Sequence, residues 1–398
     1  MFINQILEGL KGLSKPQVKF LTILFKTIFI CQSQINFSSL ARHSGLSERT
    51  FRRQFRKEVD FIEINEAIIE KVKGQIKAFA MDAAFIKKSG KKTFGLDKFW
   101  NGCAARSEKG LEASIISLVD FEKNVSFALT VDQTEPNLSI KETDEPARTR
   151  MDFYADQLAR TAEVIANHTK VGLFDGFYAK KKLVDCVCGL GFAMISRLRL
   201  DARTLYVYEG KRTGRRGRPK KYDGKVDYTD LSRFTKQVIE INSQQIELYG
   251  QVVWSMSLKR KIKLVVVKYK KRQVNLFSTD LKMDMEEVFR LYRSRFTIEF
   301  LIRDAKQSAG LQDCQARDNK ALEFHWNASL TTVNFGRGMA QEQTQEKEQK
   351  AFSMKSLKQR FFNENLLERF ISKLELEQTL EKYEKVLTEL SNYAVISP

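Results

Sequence analysis

Between Ile76 and Leu198 the chain alternates short β-type runs with helical segments, and this rhythm limits the fold more than any other feature of its 398 residues. Ile76–Ile86 (IKAFAMDAAFI), Ala113–Val119 (ASIISLV) and Val125–Val131 (VSFALTV) read as strands, apolar and bounded by Asp, Glu, Lys and Asn. A helix follows in MDFYADQLARTAEVIAN, then a strand over Val171–Phe174, a helix over about Tyr178–Val187 and a strand over Phe192–Leu198. Three strands, helix, strand, helix, strand predicts an α/β fold with helices laid on a shared sheet.

The flanks read differently. Residues 1–72 form a helical region, in which Phe37–Asp60 (FSSLARHSGLSERTFRRQFRKEVD) has the form of a helix-turn-helix. Gly45 sits where a left-handed turn residue is needed, Ser47 caps the second helix, and Phe51 and Phe55 lie one turn apart on its inner face. Arg49, Arg52, Arg53 and Arg56 then point outward, as a DNA-recognition helix requires; an ordinary hairpin with a solvated basic face has the same pattern. The α/β core takes residues 73–201 and 284–340. Residues 202–283 break the rhythm as a basic, β-rich insertion. Met283–Gln307 reads as one long helix without Gly or Pro, and a further helix covers about Asn319–Phe335. Residues 341–398 form a helical tail.

Charge narrows the partner. Lys and Arg total 68 against 49 Asp and Glu, a net charge of +19. Three segments carry this excess: Arg42–Lys57, Lys211–Lys225 and Lys259–Arg272. Such clustering asks for a polyanion, most simply nucleic acid. The last 58 residues, with nine basic and ten acidic side chains, suit packing or a partner helix instead. Five cysteines argue against a disulfide scaffold, and the three histidines (His43, His168 and His325) argue against a histidine-rich metal centre. No apolar run reaches the length of a membrane span, and the N-terminus lacks the order of a signal peptide, so a soluble, cytoplasmic protein is expected.

Two acids stand out on the predicted strands. Asp82 lies among Ala80, Met81, Ala83 and Ala84, where a carboxylate is costly without a partner and small neighbours leave room for a ligand. Asp175 ends an apolar strand before Gly176, at the carboxyl edge of a sheet where sites collect. A buried lysine beside Asp82, or a helix cap at Asp175, would equally explain each. A third acid is more sharply placed. At about 100° per residue, Tyr292, Arg295, Glu299, Arg303 and Lys306 share a helical face about 80° wide. The remainder, with Val288, Phe289, Leu291, Phe296, Ile298, Phe300, Leu301 and Ile302, predicts a buried helix whose polar stripe meets an anion or a metal.

Tyr292, Arg295, Glu299 and Lys306 match the Y-(2)-R-(3)-E-(6)-K signature at every gap. In this the chain resembles insertion-sequence transposases of the DDE superfamily, specifically the insertion-sequence-four family, over roughly Ile76–Phe335. The resemblance implies a ribonuclease H-like core, with Asp82 on its first strand, Asp175 after its fourth and Glu299 on a later helix. The 124 residues from Asp175 to Glu299 fit the family's β-rich insertion. It further implies that Asp82, Asp175 and Glu299 hold two Mg²⁺ ions per site, Mn²⁺ being able to substitute, with Asp82 bridging both; all-oxygen ligands suit these metals. Implied activities are cleavage of the element's ends and their joining to target DNA. Implied partners are double-stranded DNA at the terminal inverted repeats and target, and a second copy of the chain on paired ends, with no membrane. Tyr292, Arg295 and Lys306, with Arg303 on the same face, would grip terminal phosphates and an extruded base.

Trp254 and Tyr269 are candidate platforms for such a base, whereas Trp326 reads as core. Arg216-Gly217-Arg218-Pro219 matches an AT-hook core, whose arginines enter the minor groove; a phosphate-binding loop fits equally. Cys186 and Cys188 read as packing. Two other functions remain open: a non-catalytic or domesticated DNA-binding regulator, and a ribonuclease H-like nuclease without joining activity.

Overall fold

A computed structural model describes residues 2–72, 74–138, 148–210, 219–241, 243–270, 272–344, 352–373 and 381–395. Helices α1 (Phe2–Gly9), α2 (Lys15–Ile30), α3 (Phe37–Ser44), α4 (Glu48–Gln54) and α5 (Phe61–Lys71) open the chain. Their starts are fixed by side chains: Asn36 accepts from the Ser39 N–H at 2.9 Å, Ser47 from that of Thr50 at 3.2 Å and Asp60 from that of Glu63 at 3.0 Å. Gly45, at φ 73°, makes the left-handed turn between α3 and α4 that a Cβ would oppose. Phe51 and Phe55 are buried, and Phe55 packs 5.0 Å from the Phe37 ring and 4.5 Å from Phe324. These aromatic contacts fasten the helices to the core by more than area alone.

The core follows as β1 (Ile76–Lys87), β2 (Asp97–Asn101), β3 (Arg106–Asp120), β4 (Val125–Gln133), α6 (Arg150–His168), β5 (Val171–Phe174), a 3-10 turn (Gly176–Tyr178), α7 (Lys181–Gly189) and β6 (Ala193–Leu198). The short strand β2, paired with the start of β3, interrupts the rhythm expected from the sequence. The central order is β4-β3-β1-β5-β6, antiparallel for β4-β3 and β3-β1 and parallel for β1-β5 and β5-β6. Close approach of β1 and β5 depends on Gly172, where a Cβ would fall 2.5 Å from the Phe79 ring. Side chains alternate across this sheet. Glu112 accepts from Tyr154 at 2.6 Å and Ser114 donates to Gln157 at 2.6 Å, both on α6, whereas Asp82, paired with Ile115, faces the other side.

Strands β7 (Thr204–Val207), β8 (Tyr222–Lys225), β9 (Thr235–Ile241), β10 (Gln244–Ser255), β11 (Arg260–Tyr269) and β12 (Arg272–Ser278) occupy the predicted insertion. They do not form a separate sheet. β12 pairs with β6, so core and insertion share one twelve-stranded sheet. The apolar alternation of β12, with Leu276 and Phe277 buried, continues the core rather than closing a second one.

Helices α8 (Met285–Ser294), α9 (Phe296–Ser308), α10 (Asn319–Thr344), α11 (Met354–Lys373) and α12 (Glu381–Ser391) complete the chain. α9 and α10 pack on β4, and α10 also packs on α5. Trp326 is fully buried there, as expected. Asn334 ties α10 to the sheet by accepting from the Ala128 N–H at 2.9 Å and donating to the Ala128 carbonyl at 2.8 Å. In the tail, α11 and α12 pack against each other. Among the described residues no helix is long and apolar enough to cross a membrane.

Candidate active site

β1 and β5 pair in parallel with Phe79 opposite Gly172, Ala80 opposite Leu173 and Met81 opposite Phe174. Asp82 and Asp175 are therefore the next residues in register on strands about 4.8 Å apart, Asp82 midway along β1 and Asp175 just past the end of β5. Asp82 keeps 25% of its side chain open to solvent but is ringed by protein. Burial pushes its carboxyl pKa up to about 6; the Ala83 N–H and Arg295 oppose this, and the negative charges of Glu299 and Asp175 add to it. Its Oδ1 accepts from the Ala83 N–H at 2.8 Å. Asp175 and Glu299 therefore each lie within electrostatic reach of Asp82.

Arg295 stands between two of them. Its Nη1 lies 3.9 Å from Asp82 Oδ2, and its Nη2 donates to Glu299 Oε1 at 2.7 Å. The single helix expected over Met283–Gln307 is broken at this residue. The Arg295 N–H donates to the Tyr292 carbonyl at 3.2 Å, and the Ile298 N–H to the Arg295 carbonyl at 3.1 Å. These tighter three-residue closures separate α8 from α9, although Arg295 itself keeps right-handed helical angles (φ −52°, ψ −35°). Arg295 is buried at 7% exposure, while Glu299, in the first turn of α9, is 43% exposed. Phe296 and Phe300, expected in the core, are 51% and 46% exposed. They flank Glu299 on the open side of α9.

The other members of the stripe divide. Tyr292 is half-buried, and burial pushes its hydroxyl pKa up within reach of Arg295, Asp175 and Arg197. Lys306 donates to the Phe85 carbonyl at 2.9 Å; burial lowers its pKa, against the pull of Cys103 and Asp82. Arg303 is exposed, with its guanidinium 5.0 Å from the Phe300 ring.

Arg49, Arg52, Arg53 and Arg56 all lie on the surface of α4 and the turn after it. Arg52 is paired with Glu48, and Arg56 lies 3.4 Å from Asp318. Trp254 is not brought to the acids. It sits on β10, four strands from β5, a lateral distance of about 19 Å, and packs 5.7 Å from the Tyr222 ring. Tyr269 donates to Gln244 at the end of the insertion. Arg216 and Arg218 lie outside the described residues. Arg197 was missed by the sequence reading, although an exposed arginine inside an apolar strand (AMISRL) is the same signal that singled out Asp82.

The donor chemistry fits a hard divalent cation. The candidate ligands are carboxylate oxygens without histidine or thiolate. The three are not gathered into a closed cage: among the described residues no three carboxylate, histidine or cysteine groups stand together as a metal site. The Arg295 guanidinium fills the interval between Asp82 and Glu299.

A comparison with curated proteins yields no match. A family model described as the transposase DDE domain matches residues 73–335, which include Asp82, Asp175, Glu299 and the whole sheet. That span is about two thirds of the chain, and the chain belongs to the transposase DDE domain family.

Proposed function

We propose that this chain is a DNA transposase of the insertion-sequence-four type, which binds the ends of its mobile element, cuts them and joins them to target DNA. The observation that carries the reading is the register of Asp82 and Asp175 on adjacent parallel strands, with Glu299 linked to Asp82 through Arg295. The strand order β4-β3-β1-β5-β6, three antiparallel strands followed by two parallel to the first, supports a ribonuclease H-like core.

Asp82, Asp175 and Glu299 would hold two Mg²⁺ ions, or Mn²⁺ in their place. When bound, such ions activate the attacking hydroxyl and stabilise the leaving oxygen in phosphoryl transfer. The chain's own residues do the rest. Arg295 offers a planar fork suited to a phosphate, and Lys306 a point charge. Tyr292 supplies a hydroxyl beside Asp175. Arg197 and Arg303 add positive charge at the rim, steering the backbone toward the acids. The exposed arginines of α4 would read or grip duplex DNA as a helix-turn-helix, with the basic insertion as a further contact. A homodimer would act on paired ends, its tail helices being one candidate interface, and the protein would work in the cytoplasm.

The test is to incubate the chain with DNA carrying the element's ends, an unlinked target and Mg²⁺. Strand cuts at the ends and joined products are expected. Binding without cutting would point to a non-catalytic regulator, and cutting without joining to a nuclease.

A further inference from the structure

Arg295 is held more tightly than a phosphate-gripping side chain needs to be. Its guanidinium lies between the Tyr292 ring, 5.9 Å away, and the Phe296 ring, 5.0 Å away. Two carboxylates of the candidate metal set claim its two terminal nitrogens, at 3.9 Å and 2.7 Å. Its Nε is buried and makes no hydrogen bond. Glu299 is drawn back along its own helix, four residues from Arg295, and its exposed carboxylate is spent on an internal partner.

A divalent ion makes the same demand on Glu299 Oε1 as the guanidinium does. Each neutralises the Asp82–Glu299 pair, and a guanidinium held on Glu299 Oε1 opposes a second cation there by like-charge repulsion and by occupying part of that oxygen's acceptor capacity. We propose that Arg295 is an internal counter-ion that competes with the divalent metal, and that a DNA phosphate relieves the competition by drawing the guanidinium onto itself. This rests on the metal-dependent transposase reading above. A phosphate offers Arg295 two acceptor oxygens in place of one close carboxylate oxygen and one distant one. The released acids then meet the metal instead. DNA therefore raises metal affinity, and by linkage the metal raises DNA affinity by the same factor. The free protein holds its metal poorly, which restrains cutting until a DNA backbone lies in the cleft. Arg295 is here a positioning residue for the metal ligands.

Mn²⁺ binding to the full chain, followed by the electron paramagnetic resonance of the free ion, tests this without any cleavage. Arg295→Gln is expected to bind Mn²⁺ about tenfold more tightly than the unaltered chain. In Arg295→Gln/Glu299→Gln that gain disappears. A 30-base-pair duplex is expected to tighten Mn²⁺ binding to the unaltered chain and to leave Arg295→Gln unchanged. If Arg295→Gln unfolds on its own, the proposal requires Mn²⁺ to raise its melting temperature more than it raises that of the unaltered chain. Equal or weaker Mn²⁺ binding by Arg295→Gln, or equal tightening of both proteins by the duplex, overturns the competition but leaves the transposase reading intact. No Mn²⁺ binding by either protein, with or without duplex, overturns the metal-dependent reading and this inference together.

Discussion

Two buried arginines lie on either side of α9, and they are used in opposite ways. Arg337, on α10, lies 3.1 Å from Asp304 and also donates to the Ser126 carbonyl. Its acid is itself 14% exposed, so the pair is closed off between α9, α10 and β4. Arg295 meets Glu299 at a surface that is 43% open and shares its charge with an acid of raised pKa. On the closed side the charges satisfy each other; on the open side one cation serves acids that would also suit another ligand. The Arg337–Asp304 pair is enclosed at a packed interface, while the Arg295–Glu299 pair is open to solvent on the Glu299 side.

The sharpest way to break this contrast is to remove the acids of the open side. Asp82→Ala, Asp175→Ala and Glu299→Ala are each expected to reduce strand cleavage more than a thousandfold, on the order of 4 kcal/mol in barrier, with the melting temperature preserved or raised. Any one of them that still cuts at the parent rate is not part of the site. On the closed side, Arg337→Met leaves Asp304, among the described residues, only its 3.4 Å contact with Arg303 and is expected to cost about 3 kcal/mol in urea unfolding. A loss below about 1 kcal/mol would erase the distinction between the two arginines.

Asp82→Asn probes the open side by stability instead. The carboxyl of Asp82 titrates near 6 in the folded chain, above the 3.8 of an ordinary aspartate, so the unfolded state gives up its proton first as pH rises. Its destabilising effect is absent below pH 3.8, grows up to pH 6 and is complete above that. Asp82→Asn should therefore stabilise the chain at pH 7 by up to about 3 kcal/mol and by nothing at pH 3.5. A gain that does not depend on pH would assign the effect to packing. The smallest effect is expected at the exposed arginines of α4. Arg49→Ala and Arg53→Ala should each lower the salt slope of duplex binding by about one unit and leave unfolding unchanged. An unaltered slope would place the DNA on another surface.

Much of this was legible from residues alone. Asp82 announced itself because a charge inside an apolar strand is expensive, and Asp175 because a strand ended in Asp-Gly. The caps at Ser47 and Gly45 are local chemistry, and local chemistry is written in the sequence. The break at Arg295 was not, since a helix without Gly or Pro gives no warning when neighbouring packing tightens one turn. Phe296 and Phe300 lie beside the polar stripe on the same helical projection, so their exposure goes with the stripe's open side. Arg197 was visible in principle, as a cation within AMISRL, but only the cleft gives it a meaning.

The sequence by itself determined most of the elements and their order and singled out Asp82, Asp175 and Glu299 as candidates, because propensity, periodicity and fixed spacing act over a few residues. Tertiary structure alone decided that β12 joins β6 into one sheet, that Trp254 lies far from the acids, and that one guanidinium stands between Asp82 and Glu299. Those facts depend on side chains far apart along the chain meeting in space, and no local pattern encodes which of several compatible partners a charged group will choose.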